Sequence, residues 1–316
     1  MEFEHIPVLL PEVIKYLDCS HAGIYVDCTL GGAGHAQKIA QKIGVNGKLV
    51  GIDQDQAAII AAQSKLEKVE AEVELVRANF QDLESVLDDL GIEQVDGVLF
   101  DLGVSSYQLD NPERGFSYQQ EAPLDMRMDQ RQETTAADLV NNLSHRELTK
   151  IIEQYGEEKW ADRIAQFIVD KRERKPITTT TQLVEIIKAA IPASARRSGP
   201  HPAKRTFQAL RIAVNGELDV IEDALQAAVN RLQPGGRLAV ITFHSLEDRI
   251  VKHTFKDLAK DCICPPKLPV CGCDEEAEIE IVTTVAPTEE EIRRNSRARS
   301  ARLRVVEKKS SKVKGR

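Results

Sequence analysis

The 316-residue sequence contains no run approaching the roughly 20 apolar residues needed to cross a bilayer. Its start, Met1 to Pro11 (MEFEHIPVLLP), lacks a basic region followed by a long apolar run. Both absences point away from a membrane and toward a cytoplasmic protein. Internal repeats are absent as well. Cysteines are not spread evenly: Cys19 and Cys28 stand alone, while Cys262, Cys264, Cys271 and Cys273 fall within twelve residues, which suits a local metal knuckle better than a disulfide framework. An excess of positive charge is also lacking. The net charge of -8 argues at first against a nucleic-acid partner, whose affinity rests on phosphate neutralisation. The distribution reverses that reading. Residues 293–316 hold eleven Lys or Arg and one acid, Glu307, and Lys171 to Arg211 hold ten basic residues and two acids. Such asymmetry hints at a polyanionic partner, although a basic tail is as often a solvated, disordered end. Hydrophobic residues make up 42% and charged residues 29%, so a packed core is expected, and the length allows one domain to carry another inserted in it.

The first hundred residues alternate short apolar runs with helical patterns, as βα repeats around a parallel sheet do. Strands are expected at Ile24 to Cys28, Lys48 to Asp53, Val73 to Val76 and Gly97 to Asp101, with helices over Ala36 to Lys42, Gln56 to Lys68 and Gln81 to Leu90. After Ser106 a polar, irregular stretch runs to Asp129. Helical segments follow at Ala136 to Asn141, His145 to Tyr155, Lys159 to Lys171 and Gln182 to Ala190, then a breaker-rich loop from Ala193 to Pro202. The rhythm then returns with a helix over Glu217 to Leu232, the turn Pro234-Gly235-Gly236, and the strand Arg237 to Phe243. Ile279 to Val285 and Ala301 to Val306 read as a hairpin-like edge of the same sheet. The organisation expected is a core from residues 1–106, an inserted helical domain over 107–212, and a second core part over 213–316 that carries the Cys-rich loop and the basic tail.

Ile24 to His35 (IYVDCTLGGAGH) reads as strand, glycine-rich turn and helix start. Glycines there let a ligand lie against bare backbone, and the helix amides favour an anionic group. Gly31, Gly32 and Gly34 match neither the G-x-G-x-x-G dinucleotide pattern, because position 37 is Gln, nor a phosphate loop, which needs Gly-Lys-Ser/Thr. A plain tight turn remains the bland alternative. Asp53 strengthens the ligand reading: it ends the next strand about twenty residues on, where a carboxylate can bind both hydroxyls of a ribose. Asp55 is the better candidate to cap the following helix. Asn79-Phe80 and Asp101 end the third and fourth strands, so all these positions converge at the carboxyl edge of the sheet. Phe80 suits either the cover of an adenine ring or ordinary core.

Several blocks resemble a known family. They are His5 to Leu10 (HIPVLL), Asp27 to His35 (DCTLGGAGH), Phe100 to Ser106 (FDLGVSS), Arg114 to Ser117 (RGFS), Pro123 to Asp129 (PLDMRMD), Tyr155 to Glu158 (YGEE), Lys204 to Ile212 (KRTFQALRI), Leu232 to Leu238 and Phe243 to Arg249 (FHSLEDR). In this order, over nearly the whole chain, they resemble the bacterial 16S ribosomal RNA cytosine-N4 methyltransferases, the RsmH family formerly called MraW. The resemblance implies an α/β, Rossmann-like class I methyltransferase core with an inserted helical domain. It also implies S-adenosyl-L-methionine as cofactor and, as partner, a cytidine in the decoding region of 16S rRNA, free or in the small ribosomal subunit. The family's cofactor contacts fall on Ala33, Gly34, His35, Asp53, Phe80, Asp101 and Gln108. A homodimer is one of the oligomeric states left open.

Cytosine N4 is a poor nucleophile because its lone pair is delocalised, so an acceptor close to the methyl is needed. Other amino-methyltransferases supply Asp or Asn, two prolines and an aromatic, whereas this chain has Asp101-Leu102-Gly103-Val104. Asp101 can serve the cofactor or the amine. His244 and Asp125 are alternatives, more simply read as a strand-end polar group and an N-cap, and no general base is assigned. Arg196, Arg197, Lys204, Arg205 and Arg211 are the expected phosphate contacts. Cys262, Cys264, Cys271 and Cys273, framing Pro265, Pro266 and Pro269, are either one structural zinc site or reduced thiols in a loop. The rival activities are a methyltransferase of DNA or protein and a non-catalytic RNA-binding or assembly factor on the same scaffold.

Overall fold

A computed structural model describes residues 7–197, 199–262, 264, 273 and 276–310. Its contacts divide the chain into two compact units: one is 1–103 with 218–316, the other 104–217.

The first unit begins with α1 (Leu10–Leu17), which Pro11 opens, and continues through β1 (Ile24–Asp27), α2 (Gly34–Ile43), β2 (Lys48–Ile52), α3 (Gln56–Leu66), β3 (Glu72–Val76), α4 (Leu83–Asp89) and β4 (Val95–Asp101). These four strands pair in parallel, with β1 between β2 and β4. Because a strand's side chains alternate between faces, Val26, Val50 and Phe100 pack with Leu83 and Leu87 of α4, while Tyr25, Leu49 and Leu99 pack with Val13, Leu17, Ile39, Ile43 and Ile59 of α1, α2 and α3. Asp55 caps α3 as expected, its Oδ1 accepting the Ala57 N–H at 3.0 Å.

The second unit holds α5 (Ser106–Asp110), α6 (Ala136–Asn142), α7 (His145–Gly156), α8 (Ala161–Arg172), α9 (Thr180–Ala190) and α10 (Lys204–Asn215). Capping boxes set four of the starts: Ser105 with Gln108, Thr135 with Asp138, Ser144 with Glu147, and Thr179 with Gln182. Leu148, Ile152, Ile164, Ile168, Leu183, Ile187, Phe207 and Leu210 form its core, where truncating one Leu or Ile to Ala costs about 2–5 kcal/mol. Two helices here differ from expectation. Ser105 nucleates α5 inside the stretch expected to be irregular, and α10 occupies Lys204–Asn215, a basic segment whose Phe207, Leu210 and Val214 recur at helical spacing and are buried.

The chain completes the first unit with α11 (Ile221–Arg231), β5 (Leu232–Thr242), α12 (Ser245–Leu258), β6 (Ile279–Val285), α13 (Glu289–Arg294) and β7 (Arg302–Lys308). The sheet order is β3-β2-β1-β4-β5-β7-β6, with β7 antiparallel to both neighbours. This is a Rossmann-like α/β sheet in which the strand last along the chain, β7, is reversed and inserted between β5 and β6. Pro234-Gly235-Gly236 is not a turn ahead of the strand but a bulge within β5. There the pairing with β4 jumps from Val95↔Leu232 to Gly97↔Arg237, and Gly235 takes φ +83. The basic C-terminal stretch is likewise not a solvated end over its described part. Arg304 forks onto Asp248 at 2.8 and 3.0 Å, Lys308 reaches Glu278 at 3.2 Å, and β7 lies inside the sheet. No helix among the described residues is long and apolar enough to cross a membrane.

Candidate active site

The chain reverses direction across the sheet between β1 and β4, so the crevice beyond their carboxyl ends is where an α/β sheet of this kind takes a ligand. The glycine-rich turn follows β1 at that carboxyl end and leads into α2. Leu30 N–H bonds to Ile52 O at 3.2 Å, tying the turn to β2, and Ala33, at φ +53, becomes the N-cap of α2 without any side-chain cap. An α-helix so begun has first-turn amides suited to an anion. The glycines differ in cause. A Cβ on Gly32 would meet nothing within 4 Å, leaving open approach to the backbone, whereas a Cβ on Gly34 would sit 2.2 Å from Pro7 Cγ. Gly34 is therefore a glycine because the N-terminal segment packs on it.

Acidic side chains line the strand ends. Asp53 Oδ2 accepts the Gly31 N–H at 2.9 Å and its Oδ1 the Asp55 N–H at 2.8 Å, so one carboxylate joins the glycine turn to the start of α3. Asp27 is buried and accepts the Thr29 N–H at 3.1 Å. Burial pushes its carboxyl up to about 7; bonds from the Thr29 and Ala36 amides oppose the shift and the charge of Asp53 adds to it. Thr29 Oγ1 in turn accepts the Asp101 N–H at 2.6 Å, locking the ends of β1 and β4 together. Asp101 keeps 26% of its side-chain surface, yet its Oδ1 is buried without a hydrogen-bond partner. Desolvation, then Asp27, then Glu247 raise its carboxyl well above the usual range. Asp101 Oδ2 faces His35 Nδ1 at 3.6 Å, and His35 Nε2 lies 3.0 Å from the Val8 carbonyl. A proton on Nε2, donated to Val8, leaves Nδ1 as the lone-pair nitrogen toward Asp101.

At the end of β5, His244 and Glu247 form a capping box on α12. Glu247 Oε2 accepts the Phe243 and His244 N–H groups at 2.7 and 3.2 Å, and His244 Nδ1 accepts the Glu247 N–H at 3.4 Å. His244, expected as a strand-end polar group or an alternative acceptor, is the N-cap of α12. The spacing H-x-x-E carries that signal, and the buried Glu247 was not singled out from the sequence. Phe80 opens a short 3-10 turn, half-buried, its ring edge-on to Phe100 with centroids 5.5 Å apart.

Ala33, Gly34, His35, Asp53, Phe80 and Asp101 all belong to the first unit and gather around the carboxyl ends of β1, β2, β3 and β4. Gln108 belongs to the second, where its buried side chain accepts the Ser105 N–H at 3.0 Å within the cap of α5. Asp125 is no N-cap. Burial alone would raise its carboxyl, but a two-pronged contact with Arg127, 2.8 Å at each prong, holds it below the usual range. Of the expected phosphate contacts, Arg196, Arg197, Lys204 and Arg205 are exposed, Arg205 also donating to the Glu157 carbonyl at 2.8 Å. Arg211 is spent internally on a bidentate pair with Glu217 at 2.9 and 2.8 Å. Cys262, Cys264 and Cys273 come together, and Cys271 lies outside the described residues.

The model of the MraW methylase family matches residues 2–309. The ribosomal RNA small subunit methyltransferase H of Clostridioides difficile is 56% identical over 310 residues, covering 98% of this chain and 100% of that protein. The protein of the same name from Halothermothrix orenii is 55% identical over 307 residues, covering 96% and 98%. That from Symbiobacterium thermophilum is 56% identical over 310 residues, covering 98% of each. Matched over residues 2–309 and more than half identical to these relatives over nearly its whole length, the chain belongs to the MraW methylase family of S-adenosylmethionine-dependent methyltransferases.

Proposed function

We propose that this methyltransferase acts on 16S rRNA of the small ribosomal subunit, at the exocyclic N4 amine of a cytidine in the decoding region, in the cytoplasm. The observation that carries the reading is 53–56% identity, over nearly the whole chain, to relatives named for small-subunit ribosomal RNA methylation. S-adenosylmethionine supplies a methyl on a cationic sulfur, ready for attack by a nucleophile. The residues fit such a group: an α2 start without a side-chain cap, open space over Gly32, and a buried Asp101 oxygen without a partner. In this reading the backbone of Ala33, Gly34 and His35 receives the cofactor carboxylate and Asp53 binds the ribose hydroxyls with its remaining lone pairs. Phe80 covers the adenine.

Asp101 orients the amine. With its proton held on Oδ2 toward His35 Nδ1, Oδ1 is a carbonyl-type acceptor facing the amine hydrogen; ionised, both oxygens accept. Either form aligns the nitrogen lone pair on the methyl, the orientation effect that a delocalised amine needs most. The base must reach a sheet edge, so the RNA is bound single-stranded or with the base extruded. Exposed Arg196, Arg197, Lys204 and Arg205 supply phosphate contacts.

The test is transfer of labelled methyl from S-adenosylmethionine to small subunits, naked 16S rRNA and DNA, followed by nucleoside analysis. N4-methylcytidine in rRNA alone is expected. Label on DNA or on protein would replace the substrate, and no transfer to any would favour the non-catalytic scaffold.

A further inference from the structure

The connection from α12 to β6 spans residues 259–278, and none of its described residues belongs to a helix or strand. Its base is clasped. Glu278 N–H donates to Leu258 O at 2.9 Å, Ala277 N–H to Asp261 Oδ1 at 3.2 Å, and Lys309 Nζ lies 3.5 Å from the same oxygen. Inside the loop, the sulfurs of Cys262, Cys264 and Cys273 all lie within 4.8 Å of one another. Cys262 and Cys273 Sγ are 3.6 Å apart, and the Cys264 N–H donates to Cys262 Sγ at 3.4 Å.

A disulfide needs about 2.05 Å between sulfurs. Sulfurs bound to one tetrahedral zinc at about 2.3 Å stand about 3.8 Å apart. The 3.6 Å between Cys262 and Cys273 Sγ matches the second geometry and excludes a disulfide there, and an amide donating to sulfur favours the thiolate, the form that binds metal. We propose that Cys262, Cys264 and Cys273 hold a zinc ion as thiolates, each thiol releasing its proton to solvent on binding. Zinc suits an all-sulfur set, and three thiolates leave a fourth tetrahedral position for one more donor.

The site is structural by position. β5 ends at Thr242 on the cofactor side, α12 follows it, and β6, running parallel to β5, starts at Ile279 opposite the far end of β7. The clasped loop therefore sits where the parallel strands begin, at the opposite end of the sheet from Asp53 and Asp101. A metal there closes a long loop and stiffens the entry to the edge strand β6 without touching the reaction.

The experiment is metal analysis of the full-length protein, purified anaerobically with zinc and desalted. About one zinc per chain is expected, falling below about 0.1 in Cys262→Ser and Cys273→Ser and unchanged in Cys19→Ser. Cobalt(II) titrated into metal-free wild-type protein, which needs no variant to fold, is expected to give a thiolate-to-cobalt charge-transfer band whose intensity counts the bound sulfurs. Wild-type protein that gives no such band, or serine variants that keep the full zinc, would overturn the site. A more than about tenfold loss of S-adenosylmethionine affinity on metal removal would overturn its purely structural role.

Discussion

Asp27→Asn tests whether a carboxyl at the end of β1 is held neutral by burial. Asp27 is 1% exposed, and its carboxyl is raised from 3.8 to about 7. A shift of about 3 units corresponds to roughly 4 kcal/mol between protonation states, at about 1.4 kcal/mol per unit. The sign follows from linkage. The folded state holds the proton where the unfolded state has lost it, so this group's contribution is complete below about 4 and is lost as pH rises through about 7. Wild-type stability therefore carries a falling component over that window which the Asn variant lacks. Between pH about 4.5 and about 6.5 the stability of the variant relative to wild type should rise by about 2–3 kcal/mol. Urea unfolding of both proteins at the two pH values measures it, and the double difference cancels whatever the amide costs in its contacts with Thr29 and Ala36. Equal differences at both pH values would refute the reasoning and make Asp27 an ordinary ionised carboxylate anchored by two amides.

Three further outcomes follow from the same geometry. Gly34→Ala should destabilise by about 1–3 kcal/mol because its Cβ meets Pro7 at 2.2 Å, while Gly32→Ala should stay within about 0.5 kcal/mol and instead weaken cofactor binding; thermal melts with and without S-adenosylmethionine separate the two. Asp101→Asn should retain cofactor binding within about tenfold and lower single-turnover methyl transfer about 10²-fold or more, and normal turnover would exclude an essential carboxyl there. Arg196→Glu with Arg197→Glu should weaken RNA binding and flatten its salt dependence by about 0.7 per lost phosphate contact, whereas Arg211→Ala should chiefly lower stability by leaving Glu217 without its fork. Unchanged RNA affinity at low salt would sink the phosphate assignment.

Much of the fold was legible in local pattern. Parallel strands buried on both faces read as apolar runs, as at Lys48–Ile52, and some capped helix starts could be placed to the residue, as at Asp55, Thr135 and Ser144, whereas the capped starts at Ser105, His244 and Thr288 were not. The turn from Asp27 to His35 was visible because glycine clusters are costly and rarely idle. α10 was less so: its apolar spacing was present, but Lys204, Arg205 and Arg211 read as a ligand surface, and only packing assigns Arg211 to Glu217.

By itself the sequence determined the family, the methyl donor and the succession of strands along the chain, since these reside in motifs and periodicities carried along it. Tertiary structure decided what proximity decides. Folding sets Asp27 and Glu247, 74 and 146 positions from Asp101 in the sequence, close enough to raise the Asp101 carboxyl, and it places His35 against both Val8 and Asp101. It turned the basic end of the chain into an inner strand paired with acids. Protonation and pairing depend on distance and burial through space, which no local pattern encodes.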